Sequence, residues 1–86
     1  MNQATEVYSR EFDSIFHSCP PHIRRRIEDG IRDLGGRLER FPHVRLQGRP
    51  EFRLRVGDYR IIYEFDPAKN ELYLITLGHR REVYRR

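Results

Sequence analysis

The stretch from residue 52 to residue 63 constrains the fold more than any other part of this 86-residue chain. Apolar and charged residues alternate along it on both sides of Gly57-Asp58. Such alternation around a two-residue Gly-X loop is typical of a β-hairpin, because glycine readily adopts a positive φ at the first central turn position. Counting outward from the turn predicts the cross-strand pairs Val56–Tyr59, Arg55–Arg60, Leu54–Ile61 and Arg53–Ile62.

The predicted register gives the hairpin one apolar face and one basic face. The apolar face is expected to join the core and contains Phe52, Leu54, Val56, Tyr59, Ile61 and Tyr63. Arg53, Arg55 and Arg60 form the opposite face, which we call the arginine face. Like charges directly opposite each other destabilise a β-ladder, so Arg55 opposite Arg60 does not serve stability. Because a guanidinium group binds phosphate through two hydrogen bonds, we predict an anion site rather than a solvated surface.

The charge balance of the chain favours an acidic partner. Seventeen Lys and Arg residues oppose thirteen Asp and Glu residues, which gives a formal net charge of +4. A basic balance is typical of proteins that bind nucleic acid or an acidic protein segment. The length of the chain predicts a single domain over residues 1–86.

Cysteine, histidine and hydropathy patterns exclude several classes of protein. Cys19 is the only cysteine, so no intrachain disulfide is expected, which fits a reducing compartment. No signal-peptide pattern opens the chain and no apolar run reaches membrane-spanning length, so we expect a cytoplasmic protein with no membrane partner. The four His residues lack metal-ligand spacing, and the sequence predicts neither a metal site nor a cofactor.

The first half of the chain predicts a helical hairpin. Ser9 is a suitable N-cap for the first helix. Apolar residues follow it at helical spacing, namely Phe12, Ile15, Phe16 and Cys19. Pro20-Pro21 ends this helix and can begin the next, because proline is tolerated in a first helical turn. The second helix has an apolar stripe of Ile23, Ile27, Ile31, Leu34 and Leu38, and Gly35-Gly36 marks its end.

Short strands are predicted around these helices. Residues 6–8 form a first strand, and residues 39–50 form a loop or a short edge strand. Residues 66–70 form a turn after the hairpin. Residues 72–77 are apolar on both faces, so we expect a central strand that ends at Gly78. The fold class is α+β, with an N-terminal helical hairpin packed on one face of a small antiparallel β-sheet.

Several segments of the chain are similar to one protein family. They are Pro20-Pro21, Leu46-Gln47-Gly48, residues 52–63, and Gly78-His79-Arg80-Arg81-Glu82-Val83-Tyr84. Over nearly its whole length the chain resembles toxins of the RelE/ParE superfamily from type II toxin–antitoxin modules. The resemblance implies a RelE/ParE-like, microbial RNase-like fold. It also implies an acidic RelB- or ParD-like antitoxin as partner, in a complex that can be of higher order.

The RelE branch of this superfamily implies a metal-independent endoribonuclease, or mRNA interferase. Such an enzyme cuts messenger RNA in the ribosomal A site, with 16S ribosomal RNA nearby, and so inhibits translation. Its catalytic positions fall here on Arg53, Arg55, Arg60, Arg80 and Tyr84. Further contacts to RNA phosphates are expected from Arg81, Arg85 and Arg86. This complete set favours the RelE branch over the ParE branch.

The chain departs from the RelE pattern in the strand before the turn. RelE-type enzymes often carry Lys at the positions of Arg53 and Arg55. Lysine can be tuned to act as a base, whereas arginine stays protonated. Histidine titrates near neutral pH, which makes His79 an acid/base candidate, although a strand-end histidine can equally make a backbone contact. Tyr84 can stack on a base or orient the 2′-hydroxyl, or it can cover the sheet as an aromatic plug.

The resemblance implies attack of a ribose 2′-hydroxyl on the adjacent phosphorus. The products are a 2′,3′-cyclic phosphate, or a 3′-phosphate after hydrolysis, and a 5′-hydroxyl. Preplaced guanidinium groups of Arg53, Arg60 and Arg80 would stabilise charge on the phosphoryl oxygens. Two alternatives remain open. One is a ParE-like inhibitor of DNA gyrase without nuclease activity, and the other is a non-catalytic domain that holds the antitoxin.

Overall fold

The computed structural model describes residues 2–79 of the chain. Its elements in chain order are β1 (Thr5–Tyr8), α1 (Arg10–Ser18), α2 (Pro21–Gly36), β2 (Val44–Arg45), β3 (Phe52–Val56), β4 (Tyr59–Asp66) and β5 (Glu71–His79). The first strand and the helical hairpin lie where the sequence predicts them. The two-residue strand β2 is the short edge strand predicted within residues 39–50.

The five strands form one mixed sheet in the order β1-β5-β4-β3-β2. Strand β5 lies between β1 and β4, as predicted for a strand that is apolar on both faces. All neighbouring strands are antiparallel except β1 and β5, which run parallel. A parallel pair cannot be joined by a tight turn, and here the connection includes α1 and α2. The α+β class is confirmed, with one parallel pair added to an otherwise antiparallel sheet.

The β3–β4 hairpin has the predicted register at every pair. Gly57 has a φ of 59°, which suits glycine at the first central position of a hairpin turn. A Cβ atom on Gly57 would lie only 3.1 Å from Nη2 of Arg26. The backbone conformation of the turn therefore favours glycine, whereas the flexible end of the exposed Arg26 side chain can shift away from an added Cβ atom.

The helices are placed by their caps. Ser9 Oγ accepts a hydrogen bond from the Phe12 amide at 3.0 Å and donates one to the carbonyl of Ile75 in β5. Pro20 occupies the N-cap position of α2 without a side-chain hydrogen bond, and Pro21 begins the helix, so the chain turns between the helices where predicted. Neither helix of the described chain has the length and apolar character needed to cross a membrane.

The apolar face of the hairpin and the helices enclose the core. Its largest fully buried side chains are Phe12, Ile27, Ile31, Leu34, Ile61, Tyr63, Leu72, Leu74 and Leu77. These residues come from both helical stripes and from the two longest strands. Since successive side chains of a strand point to opposite faces, the arginine face lies on the side of the sheet away from the helices.

A polar contact beside the core was not predicted from the sequence. His43 Nδ1 lies 2.6 Å from the hydroxyl of Tyr63, and His43 Nε2 lies 2.7 Å from the carbonyl oxygen of Leu38. A carbonyl only accepts, so Nε2 carries the hydrogen and Nδ1 of the neutral ring accepts from Tyr63. The imidazole also stacks on Phe65, with ring centroids 4.0 Å apart. His43 thereby ties the loop after α2 to strand β4.

Candidate functional site

The structure brings three of the predicted site residues together on the arginine face. Arg55 of β3 lies directly opposite Arg60 of β4, and Arg53 lies opposite Ile62. Their Cβ atoms leave the sheet on the side away from the helices. Three permanently charged groups therefore share one sheet surface next to the hairpin turn.

The three arginines differ in how far solvent reaches them. Arg55 is exposed, Arg53 is half-buried, and Arg60 is only 6% exposed. Strand β2 pairs with β3 only at Arg53 and Phe52, so Arg55 has no β2 neighbour beside it. Arg60 instead lies on the inner strand β4, between β3 and β5. Strand position therefore makes Arg55 the accessible residue and Arg60 the buried one, a difference that the alternating pattern of the sequence does not reveal.

Strand β5 continues through Gly78, where it was predicted to end. Gly78 pairs with Arg60, and His79 pairs with Tyr59. Since glycine has no side chain, β5 places nothing beside the stem of Arg60 at this point. The predicted strand end was wrong because glycine occurs both at strand ends and within strands, and here it lies within β5.

The same register separates His79 from the arginine face. Neighbouring residues of a strand point to opposite faces, so His79 shares the helix side of the sheet with Tyr59. The two rings meet edge to face, with centroids 6.1 Å apart. The structure therefore does not bring His79 to the arginines, with which it was predicted to act.

Five other predicted site residues, Arg80, Arg81, Tyr84, Arg85 and Arg86, lie outside the described residues. Within residues 2–79, no group of three or more His, Cys, Asp or Glu side chains is arranged to hold a metal ion. The geometry of the candidate site is therefore that of the three arginines and their neighbours on the sheet.

The same side of the sheet becomes acidic at its far end. Glu64 of β4 pairs with Tyr73 of β5, whose hydroxyl donates a 2.5 Å hydrogen bond to the Glu71 carboxylate. This hydrogen bond, with smaller contributions from burial and nearby carboxylates, raises the pKa of Tyr73 to about 12. Tyr73 is therefore protonated at neutral pH and does not supply a base. Anions are attracted to the end of the sheet that carries the arginines.

Nearly the whole sequence matches one known family. The family model described as "ParE toxin of type II toxin-antitoxin system, parDE" matches residues 2–84. The chain belongs to this family. It is a toxin of a type II toxin–antitoxin system within the RelE/ParE superfamily, as the sequence motifs predict. No curated protein matches this toxin in sequence.

Several solved structures share the fold of this toxin. The toxin–antitoxin complex RelBE2 from Mycobacterium tuberculosis contains a chain that is 22% identical, with 92% of this chain and 93% of that chain covered and a TM-score of 0.78. A chain of the RelE–RelB complex from Pyrococcus horikoshii OT3 is 22% identical, with 92% of this chain and 97% of that chain covered and a TM-score of 0.74. The isolated RelE toxin of E. coli is 14% identical, with 95% of this chain and 97% of that chain covered and a TM-score of 0.74. At these identities the likeness concerns the fold alone.

The arginine face of the toxin can bind and stabilise negative charge. Each guanidinium offers several N–H donors in a planar fork and keeps its positive charge at all physiological pH values. The exposed Arg55 is open to an incoming anion, and Arg60 reaches the same surface from within the sheet. Arginine does not accept a proton, so these three groups do not provide a general base.

Proposed function

We propose that this toxin is a ribosome-dependent endoribonuclease that cuts messenger RNA in the A site without a metal and thereby inhibits translation. The observation that carries the proposal is the arginine face, where Arg53, Arg55 and Arg60 converge. Opposed like charges cost stability in a ladder. A bound phosphate chain offsets this repulsion, so a polyanionic substrate gives the arrangement a purpose. The proposal places the toxin in the cytoplasm, with the ribosomes.

In the proposed reaction, a ribose 2′-oxygen bonds to the adjacent phosphorus while the bond from phosphorus to the 5′-oxygen breaks. The 2′-hydroxyl loses its proton and the departing 5′-oxygen gains one. The products are a 2′,3′-cyclic phosphate, which water can open to a 3′-phosphate, and a 5′-hydroxyl. Arg53, Arg55 and Arg60 together hold the phosphate and stabilise the charge that develops on its oxygens. A contact of this kind typically contributes ~10²–10³ in rate.

Residues beyond position 79 complete the proposed set. Arg80 adds a charge at the phosphate, and Tyr84 stacks on a base or orients the attacking hydroxyl. Phosphate contacts are added by Arg81, Arg85 and Arg86. Because arginine does not remove protons and His79 lies on the helix side, we assign no general base within the described residues. Positioning of the message by the ribosome then supplies much of the acceleration.

The proposed partner in the module is an acidic antitoxin of the RelB or ParD kind. Structures similar to this toxin include RelB–RelE complexes from Methanococcus jannaschii and Pyrococcus horikoshii. A negatively charged antitoxin segment would neutralise the arginine face. Binding to the folded toxin alone would also raise its stability by mass action. Assembly of such pairs into a higher-order complex belongs to the same proposal.

A second candidate function is inhibition of DNA gyrase. It is favoured by the matching family, which is described as ParE toxins. The burial of Arg60 favours it as well, because a side chain that is 6% exposed has restricted contact with a substrate. A gyrase inhibitor needs no charge-stabilising site for phosphoryl chemistry, so its toxicity would survive loss of the arginine face.

Two assays on the same pair of variants separate these candidates. RNA 5′ ends are mapped in cells that express the toxin, and the purified toxin is tested in a gyrase supercoiling assay. Arg55→Ala is the test variant because its side chain is exposed and lies outside the core. Arg25→Ala is the matched control, since it removes the same charge from an exposed position on α2.

The nuclease proposal expects new 5′-hydroxyl ends on translated messages. These ends should nearly disappear with Arg55→Ala and persist with Arg25→Ala. Inhibition of supercoiling by both variants, with no new RNA ends, would instead support the gyrase candidate.

A further inference from the structure

The outer edge of β1 has no strand beside it within residues 2–79. The amides of Thr5 and Ser9 donate hydrogen bonds toward β5. Because the direction of backbone groups alternates along a strand, the N–H and C=O groups of Glu6 and Tyr8 point to the open side. An edge with outward backbone donors and acceptors is a template for another strand.

A groove of about 210 Å³ lies beside this edge on the helix side. Its apolar lining consists of Tyr8, Phe12, Phe16 and Ile31. The rings of Tyr8 and Phe12 are 5.4 Å apart, and Phe12 stacks on Phe16 at 5.9 Å. Tyr8 is 42% exposed and belongs to both the strand edge and the groove. The two features are therefore continuous, and we call them together the β1 edge surface.

The rim of the groove is acidic although the protein as a whole is basic. Asp13 and Glu28 line the groove together with His17, and Glu6 accepts a hydrogen bond from the Tyr8 hydroxyl. Burial and then the hydrogen bond to Glu6 raise the pKa of Tyr8, and the charges of Glu28 and Asp13 add to this effect. The salt bridges formed between described residues involve none of these three carboxylates. The rim is thus available to a cationic ligand.

We propose that the β1 edge surface binds an extended, basic segment of a protein partner. The segment adds a strand to β1 through the backbone groups of Glu6 and Tyr8. One apolar side chain enters the groove, and Lys or Arg two residues to either side faces the carboxylates. Side chains two residues apart lie on the same face of a strand, so the pattern is basic–x–apolar–x–basic.

The acidic rim favours a basic protein segment over a second copy of the chain or a nucleic acid. A second copy of the chain would bring one acidic edge against another, and like charges across an interface oppose association. A nucleic acid would be repelled by the same carboxylates. The arginine face lies on the other side of the sheet and attracts acidic partners. The toxin therefore has one surface that favours acidic partners and another that favours basic ones.

The test uses a synthetic peptide, acetyl-Thr-Lys-Thr-Leu-Thr-Lys-Thr-amide, titrated into ¹⁵N-labelled full-length toxin. We expect the amide resonances of Glu6, Tyr8 and Phe16 to shift and the Glu6 and Tyr8 amides to exchange more slowly with solvent. Binding should weaken as salt is raised, because the contacts are exposed charge pairs. A control peptide with Glu in place of both Lys residues should bind much more weakly.

Glu6→Pro and Glu6→Thr separate the backbone contact from the charge. Both substitutions remove the carboxylate, but only proline removes the outward N–H, and edge strands tolerate proline where that group faces solvent. We expect Glu6→Pro to bind the peptide roughly two- to tenfold more weakly than Glu6→Thr, as for loss of one hydrogen bond. Glu28→Gln should weaken binding by roughly two- to fivefold, as for an exposed ion pair.

Several results would overturn the proposal. The first is equal affinity of folded Glu6→Pro and Glu6→Thr for the Lys-containing peptide. The second is equal affinity of the wild-type toxin for the Lys-containing and the Glu-containing peptides. The third is a set of amide resonance shifts confined to the arginine face. Shifts of the Glu6 and Tyr8 amides that depend on toxin concentration alone would assign the edge to a second copy and would also refute it. If Glu6→Pro does not fold, Glu28→Gln and the reversed-charge peptide decide the question.

Discussion

The hydroxyl of Tyr63 makes a testable contribution to stability through His43. Tyr63 is fully buried, and its hydroxyl is 2.6 Å from His43 Nδ1. Tyr63→Phe keeps the ring and removes this donor. His43 Nδ1 then lacks its hydrogen bond, while Nε2 still donates to Leu38 at 2.7 Å. The ring cannot turn over to satisfy both sides, because the Leu38 carbonyl requires the hydrogen on Nε2.

The expected cost follows from this geometry. Leaving a buried acceptor unsatisfied costs about 1–3 kcal/mol, and because His43 is only half-buried we expect a cost near the lower end, about 1 kcal/mol. The lost hydroxyl leaves little empty volume, so we expect no large additional cavity term. For a domain of this size, each kcal/mol lowers Tm by about 4–8 °C. Tyr63→Phe should therefore lower Tm by at least several degrees in thermal unfolding followed by circular dichroism.

A double-mutant cycle with His43→Phe isolates the contact. In the His43→Phe background the Tyr63 hydroxyl has lost its acceptor. Tyr63→Phe should then lower the free energy of unfolding only slightly, or even raise it. The coupling energy between the two sites should then account for most of the single-variant loss. An equal cost of Tyr63→Phe in both backgrounds would refute the assigned hydrogen bond and the tautomer inferred for His43.

Three further predictions concern the turn, the helix cap and alkaline pH. Gly57→Ala should lower the free energy of unfolding by about 1–2 kcal/mol in urea denaturation, because alanine is strained at positive φ; Gly57→Asn should cost less. Ser9→Ala should cost about 1 kcal/mol in the same assay through loss of the α1 cap, and an unchanged midpoint would contradict the cap. Burial raises the pKa of Tyr63 above its unfolded value of about 10, so the stability it contributes is present below that pH and is lost as pH rises further. Above pH ~10 the free energy of unfolding of the wild-type toxin should thus fall more steeply with pH than that of Tyr63→Phe. Equal slopes for the two proteins would count against this effect of burial.

Local features of the fold could be predicted because short-range chemistry determines them. The Gly57-Asp58 turn and the alternation around it sufficed for the hairpin register and for the arginine face. Ser9 identified the start of α1, since a serine hydroxyl can accept from the amide three residues later. The family resemblance added the antitoxin module, which the family match confirms.

Features that depend on distant parts of the chain could not be predicted. The parallel pairing of β1 with β5 joins segments that are 66 residues apart, as in the bond from Ser9 to Ile75, and no periodicity signals it. The burial of Arg60 and the orientation of His79 both follow from the continuation of β5 through Gly78. His43 gave no signal because a single histidine in a loop does not reveal its two buried partners.

The central claim is that the arginine face stabilises the charge of an RNA phosphate during cleavage. Its most direct test is the single-turnover rate at which purified toxin cleaves messenger RNA in the A site of programmed ribosomes. Arg55→Ala should lower this rate by ~10²–10³, while the control Arg25→Ala leaves it near the wild-type value. Cleavage by folded Arg55→Ala at the wild-type rate, or the absence of cleavage by the wild-type toxin, would contradict the claim.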